Sequence, residues 1–160
     1  MPTPFPPWGA GSEEIVHQEY FDVVLRADGV VWLRRTDIVY PAVDAVHGAY
    51  DAFLKTVDDW LFGRRIKSGS LGTKAKTPMA WLYDVRGAPA RRNDPEFEQV
   101  VQERRADLLQ RSPALAVLVQ TASGRMQVTR LARTGKANLM VFDDFEEAVR
   151  SLLERMKQAF

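Results

Sequence analysis

Residues 79–97 read MAWLYDVRGAPARRNDPEF. Met79–Asp84 is an apolar run of strand length, broken by Gly87 and Pro89, salted with Arg86, Arg91 and Arg92, and closed by Asn93-Asp94-Pro95. Asp94 offers a side chain to cap a helix, and Pro95 suits the first helical position, where a backbone N–H has no intrahelical partner anyway. Phe97, Val100/Val101, Leu108 and Leu109 give that helix an apolar side, and Arg104, Arg105 and Arg111 fall toward its C-terminal end, where cations suit the dipole. A strand that passes through a short loop into a capped helix is one unit of an α/β chain.

The unit recurs on both sides. Upstream, Tyr20–Arg26 and Val30–Arg35 are rich in β-branched and aromatic residues, and Asp28-Gly29 between them predicts an antiparallel hairpin. From Pro41, apolar residues at Val43, Val46, Tyr50, Phe53, Val57 and Trp60/Leu61 step by three and four, which predicts a long amphipathic helix stopped near Gly63. Arg64, Arg65, Lys67, Lys74 and Lys76 follow with no acid before Pro78, so 63–78 reads as a basic loop. Downstream, Leu115–Gln120 is apolar enough for a strand covered on both faces. Thr121 caps a shorter helix running through Ala132, Asn138–Phe142 forms another strand, and Asp143 or Asp144 begins a last helix with Phe145, Ala148/Val149, Leu152/Leu153 and Met156 on its inner face. Alternating strands and helices imply an α/β fold: a mixed, mainly parallel sheet of about five strands with an N-terminal hairpin, protected by about four helices.

At 160 residues the chain fits one domain, read as 19–160 behind a proline-rich tail at 1–18. The 22 Lys and Arg against 21 Asp and Glu leave a net charge of +1, so no global field draws the chain to nucleic acid or an anionic membrane. The absence of cysteine excludes disulfides, thiol nucleophiles and thiolate metal sites. The start, MPTPFPPW, lacks the charge and apolar run of a signal peptide, and no stretch approaches the ~18 apolar residues of a membrane span; the expected location is the cytoplasm. Phe5 and Trp8 of the tail are expected to dock on the domain or meet a partner.

Order and residues together resemble the STAS family, the fold of anti-sigma-factor antagonists and of regulatory domains attached to transporters and sensors. The resemblance runs from Tyr20 to about Met156 and is carried by WLYDVRGAPARRNDPEFE (81–98), LAVLVQTASGRMQVTRL (115–131) and MVFDDFEEAVRSLL (140–153). These are similar to stand-alone bacterial members in which a strand ends in D-[LV]-R, a loop reaches N-D-P, and F-x-D-x-x-E-A opens the final helix. The resemblance implies a non-catalytic signalling domain that binds another protein, a regulator or kinase-like partner or a second copy of the chain. In antagonists of this family a serine near the start of the helix after the third strand is phosphorylated by the partner. Here the segment from Val85 to Asp94 contains neither Ser nor Thr, a departure from that pattern.

The partner surface expected from the resemblance is Asp84, Arg86, Arg91, Arg92, Asn93 and Asp94; the basic loop Arg64–Lys76 is a candidate supplement on its charge alone. The same arginines at a helix start have a second reading, a module for a small anion, nucleotide or lipid. Against it, Asp94, Glu96 and Glu98 already place negative charge in that turn, and Asp84 reads first as a turn former. SGSLGTK (68–74) lacks the phosphate-loop pattern, and its cations have no interleaved aromatics to bind nucleic acid. His17 and His47 have no second ligand at metal spacing, so neither metal nor cofactor is expected. Asp58-Asp59 and Asp143-Asp144 read as solvated or capping acids, and Ser123-Gly124 does not fit the nucleophile pattern G-x-S-x-G. Thr121 and Ser123 are the phosphorylation candidates, since charge added there acts on a helix end. Trp32, Trp60 and Trp81 read as core or core edge.

Overall fold

The hairpin forms where Asp28-Gly29 places it. In the computed structural model, which describes residues 12–68, 79–89, 94–120 and 140–159, strands β2 (Phe21–Arg26) and β3 (Val30–Arg35) pair antiparallel. The turn is closed by the Gly29 N–H on the Arg26 carbonyl at 3.1 Å, and Gly29 takes a φ of 90°, a conformation that costs glycine little. Asp28 accepts from the Val30 N–H at 3.0 Å and pairs with Arg26, so this side chain fixes both ends of the turn. The Gly29 carbonyl then receives the N–H of Ala80, the first residue of β4 (Ala80–Asp84).

The sheet has six strands in chain order, completed by β1 (Ser12–His17), β5 (Leu115–Leu118) and β6 (Met140–Phe142). β1, β2 and β3 are antiparallel neighbours, and β3 to β6 run parallel. Three helices lie among the described residues: α1 (Val43–Ser68), α2 (Pro95–Arg111) and α3 (Phe145–Ala159). Crossovers of one hand that step one strand at a time in one direction deposit their helices on the same face. Accordingly α1 and α2 share a core with Phe21, Val23, Leu25, Leu33 and Trp81, while α3 covers the other face through Ala148, Val149, Leu152 and Met156 against Val24, Val30, Leu82, Ala116 and Leu118. The alternation of β2 and β3 residues between these two cores is the period-two rule of a strand.

Both helix caps form as expected. Asp94 accepts from the Glu96 N–H at 3.0 Å with Pro95 at the first helical position, and Asp144 accepts from the Glu147 N–H at 2.9 Å. The far end of α2 is tied by polar groups inside the core. The indole N–H of the fully buried Trp81 donates to the Leu108 carbonyl at 2.7 Å. Ser112, also fully buried, donates to the Met79 carbonyl at 2.6 Å and accepts from the Ala114 N–H at 3.1 Å, so one hydroxyl joins the exit of α2 to the entry of β4.

Two expectations need correction. The sheet has a sixth strand, β1, from residues assigned to the tail; it folds back on β2 through the turn at Gln18–Phe21, and its short charged stretch has little of the apolar pattern that marks a strand. The first helix does not stop at Gly63 but continues to Ser68, so the start of the supposed basic loop is helical. A Cβ at Gly63 would meet nothing within 4 Å, and cations suit a helix C-terminus. Asn138 and Leu139 fall outside the described residues, and the last strand is described from Met140. The side chains of Arg64, Arg65 and Lys67, all of Lys74 and Lys76, the tail residues Phe5 and Trp8, and the expected helix from Thr121 through Ala132 also lie outside them. No described helix is long and apolar enough to cross a membrane.

Candidate functional site

Parallel strands end together, so the segments leaving β3 and β4 meet at one rim, the carboxyl edge where open α/β sheets collect ligands. Asp84 ends β4 on the α3 side of the sheet and is 1% exposed. Its Oδ2 accepts from the Trp32 indole N–H at 2.9 Å and from Arg86 Nη2 at 2.9 Å; its Oδ1 accepts from the Arg86 backbone N–H at 3.0 Å and from Arg86 Nε at 3.1 Å. Two donors on each oxygen leave this carboxylate balanced and committed to holding the root of the following loop. Sequence reasoning placed Asp84 and Arg86 on a shared surface. The structure brings them together as an internal ion pair with Arg86 only partly exposed.

Beyond that root, Val85 donates its N–H to the Leu118 carbonyl at 3.0 Å and Ala88 donates to Val85 at 3.1 Å, so the segment turns tightly across the edge. Gly87 is exposed, and a Cβ there would lie 3.3 Å from the Arg35 carbonyl, a close approach that favours glycine. Arg91, Arg92 and Asn93 lie outside the described residues; Asp94, on their far side, is engaged in capping α2.

Further along the α3 face the same chemistry spreads over the hairpin. Arg34 Nη2 pairs with Asp22 Oδ2 at 2.8 Å, and His17 Nδ1 lies 2.8 Å from Asp22 Oδ1. Burial alone would raise the Asp22 pKa, but the hydrogen bonds and charges of Arg34 and His17 outweigh it and hold the carboxyl below its ordinary value.

The other face of the same edge carries a different group, which the sequence did not single out. Arg35 ends β3 beside Leu33 on the α1 side, is 7% exposed, and donates to the carbonyls of Tyr20 at 2.9 Å, Thr36 at 3.2 Å and Ile38 at 3.0 Å. Its guanidinium lies 4.3 Å from the Tyr40 ring centre, 5.6 Å from Phe21 and 5.9 Å from Tyr20. Among the described residues no carboxylate pairs with it. Next to it Tyr50 donates its hydroxyl proton to Tyr83 at 3.1 Å. Burial, and then the neighbouring phenols Tyr83 and Tyr40, push Tyr50 far above the ordinary tyrosine value; burial does the same for Tyr40. Both therefore remain protonated phenols. The clue available in the sequence was the parity of Leu33 and Arg35, which places a cation on a core-facing register.

A groove of about 550 Å³ lies between α1 and α2, lined by Asp51, Lys55, Asp58, Asp59, Arg104, Asp107 and Arg111 with Leu54. Arg104 pairs with Asp51 and Asp107, and Arg111 pairs with Asp58 at 3.0 Å, so these charges clamp one helix to the other. Asp58 is thus an interhelical partner rather than half of an acid dyad. Among the described residues no group of three or more His, Cys, Asp or Glu is placed to hold a metal ion. Comparison of the chain with family models, curated proteins and solved structures returned no match.

Proposed function

We propose that this chain is a non-catalytic, STAS-like regulatory domain that recognises another protein through the segment between β4 and α2. The observation that carries the reading is the Asp84 clamp. A fully satisfied buried carboxylate has no lone pair to spare for proton transfer, yet it fixes the root of a segment whose far end is fixed by Asp94, leaving Gly87 at the exposed rim. A loop held rigidly at both ends is suited to presenting side chains to a partner at little entropic cost. Strand order is a second support: a hairpin followed by parallel strands in sequence, with helices on both faces, is the architecture the resemblance implies. The lack of Ser or Thr between Val85 and Asp94 means that control by phosphorylation, if the partner is a kinase, falls elsewhere, with Thr121 and Ser123 the candidates.

The test is affinity capture from native lysate followed by mass spectrometry, using the wild-type chain and the double variant Arg91→Glu, Arg92→Glu. A partner captured by the first and lost from the second supports the reading. Identical capture by both removes the segment from it.

A further inference from the structure

Arg35 carries a positive charge that the described residues do not neutralise. Removing a cation from water costs several kcal/mol, which carbonyl bonds and ring faces offset only in part, so buried guanidinium groups are as a rule paired with an acid. One donor beside it lacks an acceptor, and two further donors lie around Tyr50. The Tyr40 hydroxyl is enclosed and makes no hydrogen bond. The Tyr83 oxygen accepts from Tyr50, and no acceptor receives its own proton. Arg105, half-buried on α2, forms neither an ion pair nor a hydrogen bond among the described residues, although its charge acts on the Tyr50 phenol. Buried polar groups in proteins are nearly always satisfied, and an orphaned hydroxyl beside a buried cation that no carboxylate among the described residues pairs with calls for a missing partner. That partner is an acceptor with negative charge, because the Tyr40 hydroxyl has a proton to donate and Arg35 beside it is a cation.

The loop that encloses Arg35 supplies a second property. Ile38, whose carbonyl Arg35 binds, is 42% exposed and Val39 is 53% exposed, so apolar surface adjoins the buried charge. We propose that Arg35, Tyr40, Tyr83 and Arg105 bind the oxyanion head, carboxylate or phosphate, of a small amphiphile whose apolar part rests on Ile38 and Val39. Tyr40, Tyr83 and Arg105 supply the direct hydrogen bonds, while Arg35, already bound to three carbonyls, supplies the field. The site is independent of the partner surface: it uses none of the residues changed in the capture experiment.

Thermal unfolding and calorimetric titration of the full chain, with octyl phosphate, octanoate and inorganic phosphate as probes below micellar concentrations, test the proposal. Octyl phosphate or octanoate is expected to raise the melting temperature saturably, since a ligand selective for the native state stabilises by mass action. Tyr40→Phe and Arg105→Gln should each weaken binding about tenfold or more, as loss of a hydrogen bond to a charged group does. Arg111→Gln, in the interhelical groove, should bind as the wild type. Without probe, Tyr40→Phe should be no less stable than the wild type, because the hydroxyl it removes has no partner. A saturable response to none of the three probes overturns the site, as do equal responses in Tyr40→Phe, Arg105→Gln and Arg111→Gln. Equal affinity for inorganic and octyl phosphate overturns the apolar half of the proposal.

Discussion

Two arginines leave adjacent parallel strands at the same edge of the sheet, and their surroundings are opposites. Arg86 is partly open to solvent, yet both sides of its guanidinium fork meet the carboxylate of Asp84. Arg35 is buried, yet meets only carbonyl oxygens and ring faces. On one face of the sheet the charge is balanced within the chain; on the other no carboxylate among the described residues balances it. The difference separates a polar cluster that builds a loop from one that is poised to receive something.

The sharpest way to break this contrast is to remove Asp84. Asp84→Ala removes the acceptor of the Trp32 indole N–H and of three Arg86 donors, and should cost about 3 kcal/mol of unfolding free energy in urea titration. Arg35→Met should cost less, about 1–2 kcal/mol, because the carbonyl bonds it loses are partly offset by relief of an unneutralised buried charge. If the two losses prove equal, the two edges are equivalent and the contrast is wrong. Asp22 tests the paired side through pH. Its folded pKa is depressed, so its contribution is complete above the unfolded carboxylate value of about 4 and is lost as pH falls through the lower folded value. The stability difference between wild type and Asp22→Asn should accordingly be flat above about pH 5 and shrink toward pH 2. Arg111→Gln sets the scale for an ordinary exposed pair, with an expected loss of no more than about 0.5 kcal/mol.

The elements that were legible in the sequence are those whose instructions are local. Asp28-Gly29 encodes its own turn, Asp94-Pro95 its own helix start, and the spacing of Ala148, Val149, Leu152 and Met156 the buried stripe of α3. What depends on distant partners, or on a weakly patterned strand, was not. β1 is the short charged arm of a hairpin that turns at Gln18–Phe21 onto β2, and Ser12–His17 has few of the apolar residues that mark a strand. Gly63 reads as a stop when considered alone, but one glycine costs a helix only about 1 kcal/mol, and α1 continues through it to Ser68. Asp84 was visible as a turn former, whereas its bond to Trp32, 52 residues away, was not. The run of arginines after β4 stands out in the sequence, and its Arg91 and Arg92 lie outside the described residues; Arg35, which no carboxylate among the described residues pairs with, reads in the linear pattern as one more residue at a strand end.

The way the sheet finishes bears on how copies of the chain meet. β1 forms one outer margin and is six residues long, with an irregular register between Ser12 and Glu14 and with Glu14 and His17 exposed. A neighbouring molecule laid along that margin would face a kinked, charged ribbon, so stacking of sheets into fibres is discouraged there. A second copy of the chain is therefore not expected to extend the sheet across β1.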